Sequence, residues 1–126
     1  MLPVERVIGE EGLEATAGGL RLAMRLPWYR SLPFSTVEVG PLEIDGQPVD
    51  LSDAVIEYDG KTWPLSQNGE QVNEFWFVRD SAFLLLPSCK ADAGSMHEVS
   101  LNLFVNPPYI PGMKRANPQT ATLVAA

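Results

Sequence analysis

Apolar and polar residues alternate with a period of two wherever the pattern along this chain is clear. In "LRLAMRL", Leu20, Leu22, Met24 and Leu26 fall on one side of an extended chain, with Arg21, Ala23 and Arg25 on the other. Successive side chains of a strand point to opposite faces, so this spacing predicts a half-buried strand; wound as a helix, the same residues would smear over two sides. In "EVSLNLFV", Val99, Leu101, Leu103 and Val105 form an inward face, with Glu98, Ser100, Asn102 and Phe104 outward. Between these strands, Asp45-Gly46 and Asp59-Gly60 each follow and precede short apolar-alternating runs, the sequence signal of a two-residue hairpin turn. The segments "EFWFV" and "AFLLL", joined by Arg79-Asp80-Ser81, read as a further antiparallel pair, and "TATLV" as a last strand. Strand signals at this rhythm predict an all-β fold, an antiparallel β-sandwich in a single domain over residues 1–126.

Composition adjusts this picture little. The 126 residues include 11 prolines, against a usual share of ~5%, which disfavours long helices. The net charge of -7 argues against nucleic acid and against anionic membranes, both of which require a positive footprint. Cys89 is the single cysteine, which points to a reducing compartment. Glutamates interrupt the N-terminal stretch where a signal peptide needs an apolar run, so the expected location is the cytoplasm.

Candidate chemistry is sparse. His97 is the only histidine, and a lone histidine at a strand start is first a surface or hydrogen-bonded structural residue. One histidine with one cysteine does not make a zinc site. The acids are numerous but scattered, and no phosphate loop or nucleophile elbow is present. No catalytic residue and no metal ligand is assigned to this chain.

What remains is adhesive. "RLPWYRSLPF" interleaves Trp28, Tyr29 and Phe34 with Arg25 and Arg30, residue types enriched at the centres of protein interfaces, although Trp28 and Phe34 suit a core equally well. "NPPYIPGMKRANPQT" sets Tyr109, Ile110 and Met113 among four prolines and ahead of Lys114 and Arg115, with no acid. A proline-rich backbone is already extended and loses little entropy on docking. Residues 107–119 are therefore expected to form a proline-rich C-terminal docking arm, or a cover for the edge of the chain's own sheet. The expected partner contacts are Trp28, Tyr29, Arg30, Phe104, Tyr109, Ile110 and Met113.

The ordered set "RLPWYRSLPFSTVE", "LEIDGQPVD", "IEYDGKTWPL", "EFWFVRDSAFLLL" and "MHEVSLNLFVNPPYIPGM" resembles the small, β-type subunit of bacterial C-glycoside deglycosidases, over roughly residues 20–113. The resemblance implies a β-sandwich subunit that assembles with a larger TIM-barrel α subunit in a hetero-oligomer. It further implies a carbon–carbon lyase that acts on 3-oxo-C-glycosides of flavonoid type. The divalent metal, manganese, is expected in the barrel, with no cofactor in this chain and no activity from it alone. Two other readings compete: a carbohydrate-binding module that stacks sugars on Trp28, Trp63 or Trp76, and a small β-fold enzyme that uses His97 with an acid.

Overall fold

The two segments with the clearest alternation become the spines of two different sheets. The computed structural model describes residues 6–126. Its strands are β1 (Ile8–Thr16), β2 (Gly19–Arg25), β3 (Leu32–Pro33), β4 (Val37–Ile44), β5 (Gln47–Pro48), β6 (Val55–Tyr58), β7 (Lys61–Pro64), β8 (Phe75–Trp76), β9 (Ser81–Leu86), β10 (Met96–Val105) and β11 (Arg115–Val124). One sheet has the order β1-β2-β9-β6-β7, a second has β11-β10-β4-β5, and β3 with β8 forms a small ribbon. No described helix is long and apolar enough to cross a membrane.

Register explains the packing. In β2 and β9, Leu20 lies opposite Leu86, Leu22 opposite Leu84 and Met24 opposite Ala82, and all six are buried. In the second sheet, Leu101 faces Leu42 and Val105 faces Val37. These side chains join one hydrophobic cluster, so the two sheets pack face to face as an antiparallel sandwich. Each buried leucine contributes about 1.5–3 kcal/mol relative to exposure.

Both aspartate-glycine turns form as the sequence predicts. Asp45 and Gly46 have φ of 53° and 79°, and Asp59 and Gly60 have 51° and 76°. Two successive positive φ values match the twist of the flanking strands, and they join Ile44 to Gln47 and Tyr58 to Lys61.

One lateral side of the sandwich is closed by polar contacts. The backbone N–H groups of Val7 and Ile8 donate to the Gln119 side-chain oxygen at 2.8 and 2.9 Å. Ala15 N–H donates to Ala126 O, and Ala126 N–H donates to Leu13 O, each at 3.0 Å. These bonds tie β1 of one sheet to β11 of the other.

Three expectations are corrected. "EFWFV" and "AFLLL" do not pair with each other: β8 pairs with β3, while β9 runs between β2 and β6. Asp80 N–H donates to Phe77 O at 2.9 Å, and the Trp76 indole donates to Asp80 O at 2.9 Å. The segment joining them is thus a fixed loop that carries the chain sideways, and both edges of β9 are already taken. Second, the tail is not a projecting arm: residues 106–114 are a turn-rich loop, and Arg115–Val124 pairs with β10 along its whole length. Pro118 is tolerated because β11 is an edge strand of that sheet. Third, Asn102 is buried. The register slips between Leu101 and Leu103, where β4 has an extra residue, and the Asn102 amide fills the gap. It accepts from Asn117 N–H at 2.9 Å and donates to Gly40 O at 3.3 Å.

Candidate subunit interface

At one end of the sandwich, the loop after β2 meets the loop between β10 and β11. The second loop is fixed from within: Pro107 is buried, Ile110 N–H donates to Pro107 O, and Met113 N–H donates to Ile110 O, each at 3.2 Å. Across the gap, the Trp28 indole donates to the Tyr109 hydroxyl at 2.6 Å, and that hydroxyl donates to Tyr29 at 3.1 Å. The Trp28 and Tyr29 rings lie 5.2 Å apart, and the Arg30 guanidinium sits 5.3 Å above the Tyr109 ring. Tyr29 is 52% exposed, Tyr109 44% and Ile110 40%. The bond to Tyr109, followed by partial desolvation, raises the Tyr29 phenol above its ordinary value, and it keeps its proton at neutral pH.

The structure therefore brings Tyr29, Arg30, Tyr109 and Ile110 together on one surface. Trp28 is corrected: it is buried and braces this surface from behind rather than offering a face of its own. Met113 packs against the core as a half-buried residue. Phe104 points outward from β10 as the alternation predicts, but Lys114 covers its ring at 4.7 Å. Lys114 in turn pairs with Glu38 at 3.1 Å. The Glu38 carboxyl is held below its usual range, first by the Asn106 amide and then by Lys114.

Sequence reasoning missed Phe77, which is 58% exposed, and Phe75 beside it. In "EFWFV" only the central Trp76 turns inward, a distinction hidden once the whole run is read as a buried strand. The loop carrying Phe77 joins the same end of the molecule, because Val78 N–H donates to Ser31 Oγ at 3.0 Å and Arg25 donates to Val78 O at 3.2 Å.

The competing sites fare differently. Trp28, Trp63 and Trp76 are all buried. Phe34 stacks on Trp76 at 5.0 Å and 7°, and meets Trp63 edge-on at 5.0 Å. No indole face is presented to a sugar, which removes the basis of the carbohydrate-binding reading. His97 lies 2.6 Å from Asp45 and 2.8 Å from Ser95, the spacing of a nucleophile, base and acid relay. However, the Ser95 hydroxyl donates to Asp92 O at 2.6 Å. The Ser95 and Gly94 N–H groups are spent on Asp92 O and Ala125 O, which leaves neither to stabilise an oxyanion. The relay instead ties the β4–β5 turn to β10. Asp45 also accepts from Glu98 N–H at 2.9 Å, and its carboxyl is held below the usual range by His97 first and Glu98 second.

An open polar cleft of about 510 Å³ lies near Arg25, lined also by Glu10, Glu11, Tyr58, Arg79 and Asp80. Burial pushes the Tyr58 phenol up to about 12, and it donates to Asp80 at 2.7 Å. Burial first, and then Asp53, raise the Cys89 thiol, which disfavours a reactive thiolate. Among the described residues, no group of three or more His, Cys, Asp and Glu side chains is arranged to hold a metal ion.

Residues 5–109 match the sequence profile of the C-glycoside deglycosidase beta subunit family. The chain belongs to this family. It is 37% identical over 107 residues to a 3'-dehydrocarminate deglycosidase beta subunit of Microbacterium sp., covering 85% of this chain and 80% of the relative. A C-glycoside deglycosidase beta subunit of Microbacterium trichothecenolyticum is 32% identical over 110 residues, 87% and 82% of the two chains. One from Arthrobacter globiformis is 29% identical over 106 residues, 84% and 81% of the two chains. The family match takes in Trp28, Tyr29, Arg30, Phe77 and Tyr109, and it stops just before Ile110. As a beta-subunit family member, the chain thus carries its exposed aromatic surface almost wholly within the matched region.

Proposed function

We propose that this chain is the non-catalytic β subunit of a C-glycoside deglycosidase and works in the cytoplasm beside a larger α subunit of TIM-barrel type. In this reading the α subunit holds the divalent metal, manganese, and carries the reacting groups. The pair acts on 3-oxo-C-glycosides with a flavonoid-type aglycone. A ketone at C3 of the sugar acidifies the proton on C2. A base of the α subunit removes that proton, and the bond from C1 to the aglycone carbon breaks. The electron pair of that bond goes to the aglycone carbon, which takes up a proton, leaving a 1,2-unsaturated 3-oxo sugar. A divalent cation held by the α subunit would supply positive charge that favours this proton removal. The relative named for a 3'-dehydro substrate supports an oxidised sugar as the reactive form.

What carries the reading is the exposure of Tyr29, Tyr109 and Ile110 on internally bonded loops, in a chain of this family. Apolar rings kept at the surface by a fixed scaffold suit a permanent neighbour, because little ordering entropy remains to be lost on docking. The β subunit then stabilises or shapes the α subunit's site. The test is co-expression with a candidate large subunit, followed by size-exclusion chromatography and turnover of a 3-oxo-C-glycoside. Co-elution, with activity confined to the complex, is expected. A chain that elutes alone while the large subunit is fully active contradicts the reading.

A further inference from the structure

The hydrogen-bond chain at the interface starts from a fixed donor. An indole nitrogen can only donate, so Trp28 makes the Tyr109 oxygen an acceptor, and the same oxygen lies 3.1 Å from the Tyr29 hydroxyl. The Tyr29 hydroxyl ends this chain, on a ring that is 52% exposed. Beside it stands Arg30, exposed and held over the Tyr109 ring, without an ion pair among the described residues.

The local charge agrees. Residues 26–37 and 106–126 contain Arg30, Lys114 and Arg115 and no acid, in a chain whose net charge is -7. Glu38, the nearby carboxylate, is engaged by Lys114 and Asn106. The acids of the neighbouring cleft, Glu10, Glu11, Asp59 and Asp80, share it with Arg25 and Arg79. An exposed hydroxyl beside an exposed guanidinium that has no ion pair among the described residues calls for an anionic acceptor from outside. Among protein groups that acceptor is a carboxylate.

We propose that Tyr29 and Arg30 form a preorganised carboxylate-accepting pair that engages an aspartate or glutamate of the α subunit, with Tyr109 and Ile110 packing around it. This rests on the reading that the aromatic end is the face turned to the α subunit, and it adds the chemistry of the partner surface.

The experiment measures the dissociation constant of purified β variants for the purified α subunit at two salt concentrations. Tyr29→Phe and Arg30→Gln are each expected to weaken binding about 10- to 100-fold, the usual range for a hydrogen bond to a charged group. Arg30→Gln should also flatten the salt dependence, and the double variant should lose less than the product of the two. Ile110→Asp tests the face itself and is expected to abolish association. If Ile110→Asp abolishes it while Tyr29→Phe and Arg30→Gln change neither affinity nor salt dependence, the carboxylate-accepting pair is refuted and the docking face stands. If none of the three has an effect, both fail. Sedimentation of the isolated chain separates self-association: a dimer dispersed by Ile110→Asp overturns the proposal in favour of a second copy of this chain.

Discussion

Replacing Tyr109 by phenylalanine removes one oxygen and leaves the ring. In the native chain that oxygen accepts from the Trp28 indole at 2.6 Å and donates to Tyr29 at 3.1 Å. Trp28 is buried, so its N–H loses its protein partner when the hydroxyl is gone. A donor left unsatisfied in this way costs about 1–3 kcal/mol, whereas the bond to exposed Tyr29 is easily replaced by water. For a domain of this size, each kcal/mol corresponds to roughly 3–5 °C in Tm, so Tyr109→Phe should lower Tm by about 3–15 °C. Loops often open below the global unfolding free energy, so thermal scans need a local companion. Hydrogen exchange at the Ile110 and Met113 amides, both bonded within the loop, should accelerate in the variant. The double variant Trp28→Phe/Tyr109→Phe removes donor and acceptor together and should show a coupling of about 1–2 kcal/mol. An unchanged Tm together with unchanged exchange in residues 106–114 would refute the idea that this bond holds the surface in shape.

Other parts of the account can be tested in the same way. Asn68 accepts from Trp63 Nε1 at 2.9 Å and donates to Phe34 O and Val37 O at 3.0 and 2.9 Å. Asn68→Leu should therefore destabilise by about 3–5 kcal/mol in urea titration, and a cost below 1 kcal/mol would count against a buried three-way tie. Asp45 is held below its unfolded value of about 3.9, so the unfolded chain binds more protons over that interval. Its contribution is complete above about pH 4 and lost as pH falls through the folded value. Asp45→Asn, which tolerates the positive φ, should flatten the loss of Tm between pH 5 and pH 2, and parallel curves for the two proteins would contradict this. Phe77→Ser, at a residue 58% exposed, should leave stability within about 0.5 kcal/mol. The same change should weaken binding to the α subunit, and unaltered affinity would place Phe77 outside the contact.

How much of this was legible in the sequence depended on the range of the interactions involved. Period-two alternation identified β2 and β10, because one buried face imposes it, and the Asp-Gly pairs located both hairpins, because only certain residues accept two positive φ values. Strand partners were less accessible. Nothing local in "AFLLL" says that both of its edges are occupied by β2 and β6, so pairing it with its chain neighbour was the natural error. The buried amides of Asn68, Asn102 and Asn117 carry no periodic signal. Each is polar by composition and internal only because backbone groups remote in the chain need partners.

The candidate site divides along the same line. Its residue types were readable as adhesive, but the Trp28–Tyr109 bond joins positions 81 apart, and only the fold shows that the indole is spent as a brace. The exposure of Phe77 follows from the sideways turn at residues 77–80, which the alternation could not reveal.

The central claim is that this β subunit works through an aromatic surface held against a larger neighbour that supplies the reacting groups. The most direct measurement is association of the co-purified α subunit with wild-type chain and with Ile110→Asp, alongside turnover of a 3-oxo-C-glycoside. The account predicts a stable, active complex for the wild type, and for the variant a folded chain that neither binds nor supports activity. A variant that assembles and turns over substrate like the wild type would contradict it.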